Sequence, residues 1–236
     1  MLESLRNKRI LIVVAHPDDE LLGLGATMHR LINDYSVKTH VVILGEGLTS
    51  RSLTRNSKEW TEQLLIHKTN IRSAQNEIGY HTLNTYDFPD NRFDSVDLLD
   101  IIKVIEKEKK SFIPDVIFTH HGGDLNIDHQ RTFEAVVTAS RPMDDETVKA
   151  IITFETPSGT EWRSNTDPRH FLPNLYISVS SKNIEAKIKG MEKYKFETRK
   201  FPHPRSPEAL RILAQRWGIN VGVNYAEVFS IVRIIN

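Results

Sequence analysis

The chain alternates short apolar runs with segments in which apolar residues recur every three or four positions. A continuous apolar run such as Arg9–Ala15 is typical of a strand covered on both faces of a sheet. The periodic segments predict amphipathic helices. The predicted strands are Arg9–Ala15, Val37–Leu44, Thr82–Phe88, Asp115–Thr119, Val148–Phe154, Leu175–Ser180 and Glu227–Ile235. The predicted helices are Glu20–Asn33, Ser57–Ile78, Ser95–Lys109, His129–Ser140, Ile184–Tyr194 and Pro207–Trp217.

This order of elements predicts an α/β fold, a Rossmann-like three-layer α/β/α sandwich with a mostly parallel sheet. A chain of 236 residues without repeat or linker is expected to form a single domain, residues 1–236. The stretch Thr156–Pro173 is rich in Pro, Gly, Ser and Thr and is predicted to be a loop, with a lid over a site as one interpretation. Packing under the loop is the favoured interpretation of its tryptophan, Trp162, and stacking on a sugar ring as part of the lid is the alternative.

Composition and charge narrow the function classes. Basic and acidic residues number 31 each, which disfavours an electrostatic nucleic-acid binder. The chain contains no cysteine, so a metal site has to use histidines and carboxylates. No segment approaches the roughly 20 apolar residues of a membrane span, and the N-terminus lacks a signal-peptide pattern. A cytoplasmic protein without a membrane span is therefore expected.

Polar clusters follow two of the predicted strands. The first strand ends in AHPDDE, residues 15–20, and the fourth in HHGGDLNIDH, residues 120–129. Open α/β sheets bind ligands at the carboxyl ends of their strands. His16 and Asp19 are three residues apart, so a turn brings both to one side. If the two strands are parallel neighbours, both clusters open into one crevice, where His and Asp side chains suit a zinc ion.

Each cluster also has a purely structural interpretation. Asp18 and Asp19 suit the positive end of a helix that has Pro17 in its first turn. A lone histidine such as His129 is more often a surface or capping residue than a ligand. The two clusters together favour a metal site.

The AHPDDE segment, with the later NIDH, resembles the PIG-L/LmbE-like deacetylase family, which acts on N-acetylglucosaminyl and related substrates. Segments at residues 45–47, 88–92 and 225–229 resemble further family features. The resemblance implies one Zn²⁺ per chain, held by His16, Asp19 and His129. It implies that Asp18 is the general base and that Asp128 supports the site by hydrogen bonding.

One position departs from the family pattern. Many members carry a histidine three residues before the third ligand, where this chain has Asn126. Asparagine can donate a hydrogen bond to an oxyanion but cannot deliver a proton at neutral pH. The proton donor to the leaving amine is therefore open among His120, His121 and Asp18.

The resemblance implies a zinc-dependent hydrolase that removes an N-acyl group, with acetyl expected, from an amino sugar or glycoconjugate. Asp90 resembles a family carboxylate that contacts sugar hydroxyls, and Arg51 lies near the same rim. For both residues a solvated loop charge is the alternative. Related proteins are often oligomeric, so a homo-oligomer is open.

Three other functions compete with this prediction. An amidase of a thiol-sugar conjugate or another acylated amine would use the same site. A metal-binding protein without catalysis would not need the free carboxylate of Asp18. A third alternative, a non-catalytic Rossmann nucleotide-binding module, is suggested by Gly23-Leu24-Gly25. Dinucleotide-binding motifs, however, place their first glycine in the turn directly after the first strand, and HPDDE occupies that turn here.

Overall fold

Seven strands form one sheet in the order β3-β2-β1-β4-β5-β7-β6 in this computed structural model, which describes residues 2–235. The strands are β1 (Arg9–Val14), β2 (Lys38–Gly45), β3 (Thr82–Phe88), β4 (Val116–His120), β5 (Ala150–Phe154), β6 (Leu175–Ser178) and β7 (Ala226–Ile234). The helices are α1 (Asp19–Leu22), α2 (Gly25–Tyr35), α3 (Thr61–Ile78), α4 (Leu98–Phe112), α5 (Ile127–Ala139), α6 (Ser181–Lys193) and α7 (Pro207–Asn220). No helix within residues 2–235 has the length and apolar character needed to cross a membrane.

The sheet is parallel except at β7. Strands β3, β2, β1, β4 and β5 pair in parallel, whereas β7 runs antiparallel to both β5 and β6. In the central pair, Ile10 lies opposite Val116 and Val13 opposite Thr119. The two strands that precede the polar clusters are therefore parallel neighbours and end at the same edge, which is the condition for a shared crevice.

Helices cover both faces of the sheet. Successive residues of a strand point to opposite faces, so β1 divides its side chains between two apolar clusters. Ile10, Ile12 and Val14 pack in the cluster that includes residues of α2, α3, α6 and α7. Leu11 and Val13 pack in the cluster that includes residues of α4 and α5. The predicted three-layer α/β fold is confirmed.

The helix predicted over Glu20–Asn33 is two helices, α1 and α2, interrupted at Gly23 and Leu24. A Cβ atom on Gly23 would lie 2.1 Å from the ring of Phe154, so this position accepts only glycine without rearrangement. The apolar periodicity continues across the break because both pieces bury their apolar residues against the same side of the sheet. The sequence pattern therefore does not reveal the interruption.

The stretch Thr156–Pro173 is irregular apart from one 3₁₀ turn, Thr160–Trp162. Trp162 is 54% exposed, so the predicted packing of this side chain under the loop is wrong. Polar contacts hold the loop instead. The hydroxyl of Thr160 donates a hydrogen bond of 2.5 Å to Oδ2 of Asp124, and both residues are buried.

Candidate metal centre

The turn after β1 presents three polar side chains. The N–H of His16 donates to Oδ2 of Asp19 at 2.8 Å, which closes the turn before α1. Asp18, the residue before that helix, has a φ of 104°, in the left-handed region that non-glycine residues seldom adopt. Strained backbone of this kind clusters at functional sites.

The turn after β4 presents a second set. The side-chain oxygen of Asn126 accepts a hydrogen bond from the N–H of Asp128 at 2.8 Å and so caps α5. Asp128 and His129 consequently occupy the first turn of α5, and both are buried. Because β4 lies beside β1, this helix start faces the turn after β1.

The side chains of His16, Asp19 and His129 form what we call the metal-centre cluster. One nitrogen or oxygen of each lies within 4.8 Å of the others. Oδ2 of Asp19 is 3.5 Å from Nδ1 of His16 and 3.4 Å from Nε2 of His129. Oδ1 of Asp19 is buried and has no hydrogen-bond partner among residues 2–235. A buried polar atom without a partner is costly unless a ligand satisfies it. Two imidazoles and such a carboxylate fit a zinc ion.

The outer nitrogen of each cluster histidine faces a second carboxylate. Nε2 of His16 is 2.8 Å from Oδ2 of Asp128, and Asp128 also accepts hydrogen bonds from two backbone N–H groups. Nδ1 of His129 is 3.2 Å from Oδ1 of Asp124. Carboxylates in this position fix the ring orientation of metal-binding histidines. Each ring thus directs its other nitrogen toward Asp19.

The pKa values of residues in this cluster differ strongly from their ordinary values. Burial by itself lowers the pKa of His129, but the charges of Asp19 and Asp124 outweigh it and raise the pKa to about 9. Burial opposes ionisation of Asp19, yet His129 and His120 hold the pKa of that carboxyl well below its usual value. Without a cation the cluster therefore binds protons, which a metal ion has to displace.

The two adjacent histidines after β4 have separate surroundings. His120 is buried and stacks on His129, with ring centroids 3.8 Å apart. Its Nε2 accepts a hydrogen bond from the N–H of Ala15 at 2.9 Å, and burial lowers the pKa of His120 to about 4. Nε2 of His121 lies 2.7 Å from the carbonyl oxygen of Arg169, in the 156–173 loop.

Asp18 lies outside the metal-centre cluster. Its Oδ2 accepts a hydrogen bond of 3.0 Å from Nη1 of Arg205. Burial raises the pKa of Asp18 well above its ordinary value, although the charge of Arg205 opposes this rise. Asp18 is therefore a buried carboxyl group, next to Asp19 in the sequence and held by an arginine.

The remaining predicted site residues all lie around this edge. Asp90 is buried, and its Oδ1 is 3.4 Å from Nε2 of His16. Arg51 is paired with Glu197, with Nη2 2.6 Å from Oε1. The amide nitrogen of Asn126 donates to Oδ1 of Asn91 at 2.9 Å.

The sequence patterns assign no role to two further residues of the site, Asp124 and Arg205. Asp124 belongs to the cluster after β4, and its spacing of five residues before His129 was the available signal. Arg205 lies between α6 and α7, far from both clusters in the sequence, and no local pattern points to it.

Known proteins are similar to this chain in sequence and in fold. The uncharacterized deacetylase YaiS of Escherichia coli (strain K12) is 31% identical over 199 residues, covering 81% of this chain and 94% of the relative. The N,N'-diacetylchitobiose deacetylase of Pyrococcus horikoshii superposes with a TM-score of 0.74 at 18% identity, over 96% of this chain and 84% of that one. GalB, the 4-carboxy-2-hydroxymuconate hydratase of Pseudomonas putida KT2440, superposes with a TM-score of 0.74 at 18% identity, over 97% and 98% of the chains.

At these identities the two structures establish the fold and not the reaction. The family is established by sequence. Residues 11–140 match the PIG-L family model, described as GlcNAc-PI de-N-acetylase, and they include both polar clusters. Together with the related deacetylase of Escherichia coli, this match shows that the chain belongs to the PIG-L deacetylase family.

Proposed function

We propose that the protein is a zinc-dependent hydrolase that removes an acyl group, with acetyl expected, from the nitrogen of an amino sugar or glycoconjugate. The observation that carries the proposal is the metal-centre cluster, in which Oδ2 of Asp19 faces two imidazole nitrogens and Oδ1 of the same carboxylate is buried without a hydrogen-bond partner among residues 2–235. His16, Asp19 and His129 would hold one zinc ion. When bound, it would lower the pKa of water and polarise the amide carbonyl.

Asp18 is the proposed general base. A carboxylate next to the ligands and outside their set can accept the proton of the attacking water. Among the candidates for the later proton transfer to the amine, His120 is buried, has a pKa of about 4 and accepts a backbone hydrogen bond. His121 faces the carbonyl of Arg169. These contacts favour Asp18, which would pass on the proton that it has accepted.

Asp128 and Asn126 have supporting roles in this proposal. Asp128 orients His16 through the contact of 2.8 Å to Nε2. Asn126 caps α5, and its amide group would also be a donor to the developing oxyanion. Removal of either side chain is expected to lower activity without abolishing metal binding.

A cavity of about 480 Å³ beside the turn after β1 supports a polar, sugar-sized substrate. Pro17 and His67 both line it. Both ring nitrogens of His67 are buried without a hydrogen-bond partner among residues 2–235, and burial lowers its pKa to about 4. A neutral imidazole offers one donor and one acceptor, which matches a hydroxyl group. Asp90 and Arg51, which are not among the residues that line this cavity, are the proposed substrate contacts: Asp90 lies beside His16, and Arg51 is paired with Glu197.

The test is an acid-release screen. The purified protein with added Zn²⁺ is incubated with N-acetylated sugars, nucleotide sugars, thiol-sugar conjugates and glycosylated natural products, and acetate is measured. We expect about one zinc per chain by elemental analysis and acetate release that a chelator abolishes. Bound nicotinamide nucleotide in a metal-free protein would contradict the proposal.

His129→Ala separates the metal role from a general loss of structure. This variant is expected to lose both zinc and activity, because the cluster then retains two ligands. His81→Ala is the matched control, since His81 is exposed and precedes β3 at the opposite edge of the sheet. Full zinc content in His129→Ala would exclude His129 as a ligand.

A further inference from the structure

Arg205 connects the proposed base to two loops that the cluster residues do not reach. Its Nη1 donates to Oδ2 of Asp18 at 3.0 Å and to Oε2 of Glu197 at 2.8 Å. Its Nε donates to the hydroxyl of Ser158 at 2.6 Å. Oε1 of Glu197 in turn binds Arg51 at 2.6 Å. The guanidinium is therefore held by the segment after α6 and by the 156–173 loop.

We propose that Arg205 is a positioning residue that fixes the orientation of the Asp18 carboxylate for proton transfer. The proposal rests on the proposed function, in which Asp18 is the base. Because Nη1 holds Oδ2, the other oxygen, Oδ1, is free of this ion pair and is the one that receives the proton. Such orientation is effective because a displacement of about 1 Å at a reacting group can cost about 10²-fold in rate.

The surroundings of Asp18 explain why its carboxylate needs a fixed partner. The backbone of Asp18 has a φ of 104°, a strained conformation that the surrounding structure has to hold in place. Asp19, Glu20 and Glu197 place further carboxylates around it. Like charges repel one another, and this repulsion favours rotation of the Asp18 carboxylate away from its neighbours. Arg205 is the cation that opposes this repulsion.

Glu197 and Ser158 determine where the guanidinium lies. Glu197 is buried and binds Arg205 and Arg51 through different oxygens, so its carboxylate is held from two sides. The side chain of Arg205 is 24% exposed, which leaves it accessible to a small solute. This exposure makes chemical rescue by guanidinium feasible.

The experiment compares Arg205→Ala and Arg205→Lys with wild type in steady-state acetate release. For Arg205→Ala we expect kcat to fall by about 10²-fold, with KM and zinc content within about threefold of wild type. Added guanidinium should raise the kcat of Arg205→Ala at least about tenfold. It should not raise the kcat of Asp18→Asn. Arg205→Lys keeps the charge and loses the planar fork, so its kcat should lie between those of wild type and Arg205→Ala.

Arg211→Ala is the matched control, because Arg211 lies on α7 in an exposed ion pair with Glu185. It should leave kcat unchanged and show no response to guanidinium. A kcat of Arg205→Ala within threefold of wild type would overturn the proposal. So would a rise in KM with unchanged kcat, which indicates a substrate anchor. If Arg205→Ala does not fold, Arg205→Lys provides the test. A kcat of Arg205→Lys that equals the wild-type value and does not respond to guanidinium would also overturn the proposal.

A second measurement keeps this inference separate from the proposed function. The melting temperatures of Arg205→Lys, Asp18→Asn and the double variant are measured on the zinc-free protein. We expect the shift of the double variant to differ from the sum of the single shifts, because the two side chains are in contact. Additive shifts would refute the contact even if no substrate is found. Coupled shifts without acetate release from any substrate in wild type would instead count against the proposed function.

Discussion

The metal-centre cluster and the buried pair Lys187–Glu227 differ in how completely their polar atoms are bonded. Nζ of Lys187 donates to Oε1 of Glu227 at 2.6 Å and to the carbonyl oxygen of Leu22 at 2.8 Å. Glu227 also accepts hydrogen bonds from two backbone N–H groups in the first turn of α2. In the metal-centre cluster, by contrast, Oδ1 of Asp19 has no hydrogen-bond partner among residues 2–235.

We expect this difference to distinguish a structural use of buried charge from a functional one. The Lys187–Glu227 pair balances its charges and anchors the start of α2 where the chain breaks at Leu24. The cluster keeps unused bonding capacity, which has a free-energy cost that a ligand can recover. We therefore expect substitutions in the pair to change stability and substitutions in the cluster and its neighbours to change activity.

Asp18→Asn gives the largest expected effect. Loss of a general base lowers kcat by about 10²–10⁴-fold, and zinc content should stay at the wild-type value because Asp18 is not a ligand. Asparagine keeps an oxygen that can accept the hydrogen bond from Arg205, so the free energy of unfolding should change little. Acetate release, elemental analysis and urea unfolding measure the three quantities. Near-wild-type turnover would exclude Asp18 as the base.

Lys187→Met tests the structural role of the buried Lys187–Glu227 pair. Glu227 would remain buried without its cation, which costs about 3–5 kcal/mol in the free energy of unfolding. The kcat of the folded fraction should stay within about threefold of wild type, because the pair contacts no cluster residue. Urea denaturation measures the loss.

Lys103→Met is the control for this variant. Lys103 pairs with Glu106 on α4, but its side chain is 64% exposed, so the loss should be below about 1 kcal/mol. Equal losses in the two variants would contradict a special role for the buried pair.

In the metal-free protein, the raised pKa of His129 should make the free energy of unfolding depend on pH. His129 has a pKa of about 9 in the folded chain against an ordinary 6.5. Its contribution is therefore fully present below pH 6.5 and is lost as the pH rises through about 9. The corresponding free energy is about 3 kcal/mol. The measurement is urea unfolding of zinc-free protein between pH 6 and pH 10.

His129→Gln isolates this contribution from the other titrating groups. The difference in unfolding free energy between wild type and His129→Gln should shrink as the pH rises. A difference that is constant over this range would show that the pKa of His129 is not raised.

Local patterns in the sequence predicted the strands and the two polar clusters, since apolar runs and strand ends are properties of consecutive residues. Effects that depend on distant residues were not predictable. A side chain at Gly23 would meet the ring of Phe154 on β5, and the loop that carries the exposed Trp162 is held by the contact of Thr160 with Asp124. Arg205 reaches Asp18 only through the folded chain.

Asn126→Ala gives the smallest expected effect and concerns the position where the chain departs from the family pattern. Asn126 accepts a hydrogen bond from the N–H of Asp128 as the cap of α5, so its loss should cost about 1 kcal/mol in the free energy of unfolding. Asn126→Ser keeps an oxygen that can cap the helix and removes the amide donor. Urea unfolding should therefore show recovered stability in the serine variant.

The activities of these two variants decide the second role of Asn126. If the amide group stabilises the oxyanion, both variants lose kcat equally, because both lack the donor. If capping alone matters, Asn126→Ser regains kcat together with stability. The amide nitrogen already donates to Asn91 at 2.9 Å, so an oxyanion contact has to use its remaining hydrogen. Asn91→Ala, which frees that nitrogen, should leave kcat unchanged or raise it if the oxyanion role is correct.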